Sequence, residues 1–493
     1  MRWSSDAAYA FIAVRRPLFS RLTRLFWGGS VVPPTYRYAA NAFAFCLAAV
    51  YFCAFASLGV QVSGLIGPNG ILPVATFWAG TSDGALQAVC WVGAGLALLA
   101  PFSRVLAPFV FAVLWLFYFS LYRAGGLFLG YQWDILLLEV GFLTLFIVGG
   151  RERHASRAGL WAMRWLLFRL MLLSGAVKLF SNDKSWWDLS ALLVHYETQP
   201  LPTLFAWYAH QLPAWFQKLS VAVMFFIELV LPFFMFGPRR FRLLAAFGTL
   251  LLMGLICLTG NYTFFNFLTA SLCLFLIDDA WIESWFPKLS FSRGELPGKV
   301  RCRVAWVLAV FVLIVGCAQL ALRFIPASRS STVLAATAAT GYRFHMVNTY
   351  GLFAVMTTAR NEIVVEGSDD GKEWKAYEFK WKPGKVNHAP GWVQPHQPRL
   401  DWQMWFASLA PYQRNPWFFH FQRRLLQGKP EVLALIAENP FPDKPPKYLR
   451  SLFYRYRFTG PSEKAWWKRR LLGLYCPMAT LTEDGRIGLF TPQ

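Results

Sequence analysis

Apolar runs recur along the first two thirds of the chain, broken by short polar or basic stretches. A bilayer core of about 30 Å needs roughly 20 apolar residues per helix. On that measure the pattern predicts about nine spanning helices. They are Tyr38–Val60, Gly84–Phe102, Val105–Tyr122, Gln132–Gly149, Leu160–Phe180, Leu219–Gly237, Leu243–Leu258, Tyr262–Ile277 and Val304–Leu322. The two beside the Thr259–Asn261 turn could instead form one re-entrant hairpin. Residues 1–37 hold no apolar run long enough for a signal peptide. They read as a basic, partly amphipathic lead (RRPLFSRLTRLF) on the membrane surface. The long runs stop near Arg323, and residues 323–340, rich in Ser, Thr and Ala, read as a linker. Strand-like segments follow at Leu352–Thr357, Glu362–Glu366, Ala376–Trp381 and Leu452–Phe458. The turn SDDGKEW lies between the second and third, and helices are expected at Trp417–Leu426 and Glu431–Glu438. The fold class is therefore a multi-pass α-helical membrane bundle over residues 38–322 with a C-terminal exoplasmic α+β, β-rich domain over 341–493.

Composition and charge sharpen this. Charged residues make up 15% of the chain, against about 25% in soluble domains, and the mean hydropathy is +0.38. The net charge of +22 does not point to nucleic acid, because the basic residues punctuate apolar runs and form no soluble patch. They are distributed unevenly. With the N-terminus in the cytoplasm, the segments 1–37, 104, 150–159, 237–242 and 279–303 hold eighteen Lys and Arg. The opposite loops, 61–83, 123–131, 181–218 and 259–261, hold three. The positive-inside rule supports that orientation and places the C-terminal domain on the exoplasmic side.

Ionisable residues at membrane depth are the main chemical signal, since a charge in hydrocarbon costs roughly 2.5 kcal/mol or more and faces protein or a wet cavity. Asp134 and Glu139 stand in YQWDILLLEVGFL, Arg164, Arg169 and Lys178 in the run at 160–180, and Glu228 in FIELVLPFF. Asp134 and Glu139, five apart, point to different neighbours. Pairing of Asp134, Glu139 or Glu228 with Arg169 or Lys178 across helices is expected. The other possibility is a polar cavity for a lipid, a cofactor or a client segment. The loop 181–218 is dense in aromatics, as for an interfacial helix, and carries Asp188 and the cluster His195, Glu197 and Gln199 before two prolines. Seven of eight cysteines lie in or beside the spans, with Cys476 alone in the C-terminal region. That region can form no internal disulfide. With no CxxC or HxxxH pair, no metal or other cofactor is expected.

Several segments carry a family resemblance: YQWDILLLEVGFL, WLLFRLMLLSGAVKL, WWDLSALLVHYETQPLP, FIELVLPFF, GNYTFFNFLT, VNTYGLF, RLDWQMWFA, NPF and YRYRF. In this order, over roughly residues 125–475, they resemble the lipase maturation factor family. The resemblance implies a multi-pass protein, in eukaryotes of the endoplasmic-reticulum membrane, that assists folding of secreted lipases through a lumenal C-terminal domain. It adds Asn348, Tyr350, Asp401 and Trp402 as site candidates. A structural role for the last two is a carboxylate capping a helix start and an indole in the domain core. Short loops and a single sequon, Asn261-Tyr-Thr, favour a bacterial inner-membrane relative. The expected partners are the bilayer and an exported client, by resemblance a lipase. The reading is of a chaperone-like maturation factor, not an enzyme. A membrane enzyme or lipid handler built on the buried polar cavity is the alternative.

Overall fold

A computed structural model describes residues 10–28, 34–74, 82–103, 105–145, 156–287 and 298–490. Much of the basic loops read at 150–159 and 279–303, with Arg104 and Arg151, lies outside these residues.

The bundle comprises α1 (Arg37–Gly59), α2 (Asp83–Leu99), α3 (Ala107–Gly125), α4 (Gln132–Thr144), α5 (Arg157–Phe180), α6 (Ala214–Phe225), α7 (Arg239–Thr259), α8 (Phe265–Cys273), α9 (Asp279–Trp285) and α10 (Lys299–Phe324). Among the described residues, six helices are long and apolar enough to cross a membrane, or seven if the bent pair at Phe265–Leu276 and Asp279–Trp285 is one span. The count of nine overstated the number of long helices. Helix α2 has 17 residues, α4 has 13, and the bent pair turns through 96°. The short α4 is enclosed by protein along most of its length, so lipid does not set its length. The span read at Leu219–Gly237 begins earlier, at Ala214, so the preceding connection ends at 213. The amphipathic lead is helical at Arg16–Trp27 and stacks Phe26 on Phe241 at 5.4 Å.

The expected linker is largely helical. Ser331 Oγ accepts the Leu334 N–H, and the Ala-rich α11 (Thr332–Arg343) packs back on α10. The C-terminal domain builds an antiparallel sheet in the order β2-β1-β5-β6-β7. Its strands are β1 (Arg360–Ser368), β2 (Lys375–Ala376), β5 (Tyr448–Phe458), β6 (Trp467–Leu481) and β7 (Ile487–Phe490). A small second sheet pairs β3 (Glu378–Phe379) with β4 (Ile436–Glu438). Helices α12 (Arg399–Ser408) and α13 (Pro416–Leu426) pack against the larger sheet. Three expectations change here. Residues 352–357 form no strand, because Phe353 takes a positive φ of 54° and Gly351 one of 153°. Glu431–Glu438 is one helical turn and then a strand. The run at 376–381 divides between two sheets.

The domain sits on one end of the bundle. Asn69 Nδ2 donates to Glu431 Oε1 at 3.0 Å, and Arg424 Nε to the Gly70 carbonyl at 2.9 Å. Arg399 Nη1 donates to the Phe128 carbonyl at 2.6 Å. Arg360 binds the carbonyls of Glu197, Gln199 and Pro200. Asn261 Oδ1 accepts the N–H groups of Val393 and Gln394. Each of the four loops poor in Lys and Arg thus touches the domain. At a separate polar cluster, Asp278 accepts from Arg239 and Arg242, and Asp279 from Arg37.

Candidate functional site

The intramembrane charges fall into two groups. The first forms the seam beneath the C-terminal domain. Asp134 Oδ1 accepts from Arg399 Nη2 at 2.9 Å and from the Tyr118 hydroxyl at 2.5 Å, while Oδ2 accepts from Arg399 Nη1 at 3.1 Å. One turn further, Glu139 Oε1 pairs with Arg169. Its Oε2 accepts from Asn348 N at 2.8 Å, Asn348 Nδ2 at 3.1 Å and the Tyr350 hydroxyl at 2.7 Å. Arg169 Nη1 also donates to the Asn348 carbonyl at 2.8 Å. Asn348 and Tyr350 are therefore partners of Glu139, brought together from segments more than 200 residues apart.

Asp401 does not cap its helix. Its Oδ1 accepts the N–H groups of Trp381 and Lys382 at 2.8 and 2.9 Å, tying α12 to the end of β3. Burial pushes its carboxyl up to about 6 against those two donors. Trp402 lies in the seam and not in the domain core, 4.7 Å from Trp133 and 5.9 Å from Tyr262 between ring centroids. Arg164 does not reach the surface. It donates to the Phe275 carbonyl and to the Tyr36 hydroxyl, both inside the bundle.

The connecting segment sorts its polar residues by task. Asp188 is exposed and accepts the Ser190 N–H at 2.9 Å. Glu197 Oε2 accepts the Phe458 N–H at 3.0 Å, so it ties the segment to β5. Gln199 donates to the Thr259 carbonyl at 2.8 Å and accepts the Tyr262 hydroxyl at 2.9 Å. His195 turns inward. Its ring meets Phe353 edge-on at 4.8 Å, and Nε2 lies 3.4 Å from the Tyr262 hydroxyl. Burial, with the Lys178 ammonium adding to it, pushes the imidazole down to about 4, so it is neutral near pH 7.

The second group surrounds a cavity of about 300 Å³ between α5, α6, α7 and α8. Lys178 Nζ donates to both Glu228 oxygens, at 2.9 and 2.7 Å, and to the Ser174 carbonyl at 3.0 Å. Glu228 is carried on a π-helical turn, Phe226–Val230. Pro232 accounts for that turn, because it lacks an N–H and its ring would clash with the Glu228 carbonyl in a regular helix. Asn266 also lines the cavity, 2% exposed, with neither amide atom hydrogen-bonded. Among the described residues no group of three His, Cys, Asp or Glu could hold a metal.

Sequence reasoning named the carboxylates but missed Arg399, Arg360 and Asn266. Asn266 carried a signal, an amide alone in the apolar run TFFNFLTASL. Arg399 carried only its place at the head of RLDWQMWFA, which says nothing of its partner 265 residues away.

Comparison with known proteins gives one family. Residues 38–81 and 75–284 match the lipase maturation factor transmembrane domain, and residues 346–477 its C-terminal domain. The chain is 36% identical to lipase maturation factor 2 of Gallus gallus, covering 90% of this chain and 81% of the relative. It is 35% identical to lipase maturation factor 2 of Homo sapiens, with 88% and 82% covered. Against lipase maturation factor 1 of Homo sapiens the identity is 33%, with 89% and 87% covered. No solved structure matches.

Proposed function

The chain belongs to the lipase maturation factor family, and on that footing we propose that it is a membrane-embedded maturation factor for exported lipases. It holds a client beside the bilayer without chemistry of its own. The observation that carries this reading is the seam. A buried ion pair from Asp134 to Arg399, with hydrogen bonds from Glu139, Gln61 and Asn261, fixes the C-terminal domain on the bundle, so its outer sheet face is presented at a set height above the membrane. We assign that face to the exoplasmic side and the N-terminus to the cytoplasm. The support is the basic asymmetry, together with the gathering of the four basic-poor loops under the domain. A bacterial inner membrane is the assigned location, or the endoplasmic-reticulum membrane in a eukaryotic host.

Within this proposal, the client meets the outer face of β5 and β6, where Arg455 stands opposite Arg470 and Arg457 opposite Lys468. Like charges directly opposed weaken a sheet, and an acidic client surface would offset that repulsion. Glu197, Gln199, Asp401 and Trp402 position the domain instead of touching the client. In a strain lacking this chain, exported lipase activity should fall and return on complementation. Complementation with Arg455→Glu/Arg457→Glu should fail while this protein's own level stays normal. Normal activity of every secreted hydrolase in the deletion strain, with altered membrane lipids, would overturn the maturation reading.

A further inference from the structure

The cavity between α5, α6, α7 and α8 is not used by the seam, and its walls specify a ligand. Most of the lining is apolar and includes Met171, Met224 and Met253, side chains that adapt to an irregular chain. Its volume of about 300 Å³ lies at the lower end of small-molecule sites. Three lining residues, Leu212 at 41%, Phe216 at 40% and Leu255 at 51%, are exposed. They mark an opening between α6 and α7, on the apolar outer surface of the bundle.

The polar part of the lining is charge-balanced. All three Lys178 donors are occupied, two by Glu228 and one by the Ser174 carbonyl. A charged headgroup would find no free counter-ion there, and its desolvation would go uncompensated. Asn266 is different. Its amide offers donors and an acceptor, and it has no partner for either. A buried amide in that state calls for a ligand that brings both an acceptor and a donor. His195, neutral and with Nδ1 unpartnered, adds a second such position.

We infer that this cavity binds an uncharged single-chain acyl glyceride, a monoacylglycerol, entering sideways from the bilayer. Its hydroxyl and ester groups meet Asn266 and His195 once those side chains turn toward the void, and its acyl chain runs along the methionine-lined wall and out through the opening. This assignment does not depend on the identity of any client, and its test reads binding alone.

The purified full-length protein in detergent is titrated with radiolabelled monooleoylglycerol, with oleate and lysophosphatidylglycerol as charged competitors. Saturable binding is expected, with monooleoylglycerol displacing label better than either charged lipid. Asn266→Leu should weaken binding about tenfold, the worth of roughly one buried hydrogen-bonded group. Ser220→Trp, on the lining beside the opening, should weaken it at least as much, and it decides the question if Asn266→Leu fails to fold. A melting curve for each variant establishes the fold. Non-saturable uptake, stronger displacement by lysophosphatidylglycerol, or unchanged binding in folded Ser220→Trp would each overturn the inference.

Discussion

The seam and the cavity are made from the same few residue types at similar burial, yet in one both carboxylates are fully paired and in the other a whole side-chain amide is left unpaired. In the seam, both oxygens of Asp134 and of Glu139 are occupied, and the partners come from the bundle and from the C-terminal domain. In the cavity, one ion pair is complete, but Asn266 and His195 Nδ1 have no partner. A polar cluster whose carboxylates are all answered locks two bodies together. An under-saturated one has capacity left for something that arrives later. The seam too has unpaired atoms, Arg169 Nε, Arg399 Nε and Gln397 Nε2 among them, but each of these side chains is bonded through another atom, whereas Asn266 has neither amide atom bonded.

The contrast fails most visibly if the lock is not a lock. Arg399→Met strands Asp134 as a buried charge and should destabilise the protein by roughly 3–5 kcal/mol. The double variant Asp134→Leu/Arg399→Met should recover most of that loss, because an apolar pair of similar volume has no charge to desolvate. Thermal melting in nanodiscs checks both, and a silent Arg399→Met would dissolve the comparison.

Gly64 tests the lock by shape instead of charge. A Cβ there would stand 2.2 Å from the Glu431 carbonyl oxygen and 2.9 Å from Leu435, both in the domain. Gly64→Ala should therefore cost roughly 1–3 kcal/mol by forcing domain and bundle apart. Easier proteolytic release of the C-terminal domain would accompany it.

On the cavity side, His195 gives a pH signature. Its folded value of about 4 lies below the ordinary 6.5 of a free imidazole. The unfolded chain therefore binds more protons between those values, and stability falls as pH drops from about 6.5 toward 4. The slope from this one group is at most about 1.4 kcal/mol per pH unit. His210 and His396 shift in the same direction. The informative quantity is thus the difference between wild type and His195→Gln, which should be flat above pH 6.5 and grow below it. A difference that does not vary with pH would show that the imidazole titrates in the fold as it does in the unfolded chain.

The smallest expected change is the most discriminating. Asn266→Leu removes a polar group that has no partner, so stability should hold within about 0.5 kcal/mol or rise slightly. A loss like that of Arg399→Met would place Asn266 with the seam.

What the sequence reveals follows from how local each signal is. Long apolar runs announce spans because a bilayer imposes its length on every lipid-facing helix. Helix α4 escapes that rule because protein surrounds it. Asp134, Glu139, Lys178 and Glu228 are visible as charges out of place, and the short reach of a helix turn separates Asp134 from Glu139. Their partners are less visible. Arg399 is one basic residue among many in a soluble stretch, and its chemistry appears only when α12 is laid against α4. Strand β6 hides because KRR at its start breaks the alternation that marks a half-buried strand. Residues 352–357 have strand-like composition, yet the backbone just before them presses on α5. A Cβ at Gly351 would lie 2.7 Å from Val177 Cγ1, and that close approach turns the chain away from an extended path.

The distance along the chain between Asp134 and Arg399 also has a consequence in time. Synthesis at about 5–20 residues per second separates residues 265 apart by roughly 13 to 53 s. Helix α4 is therefore complete well before the guanidinium that will pair with its carboxylate has been made. The bundle must wait, half assembled and with a carboxylate unanswered, for the last third of its own chain.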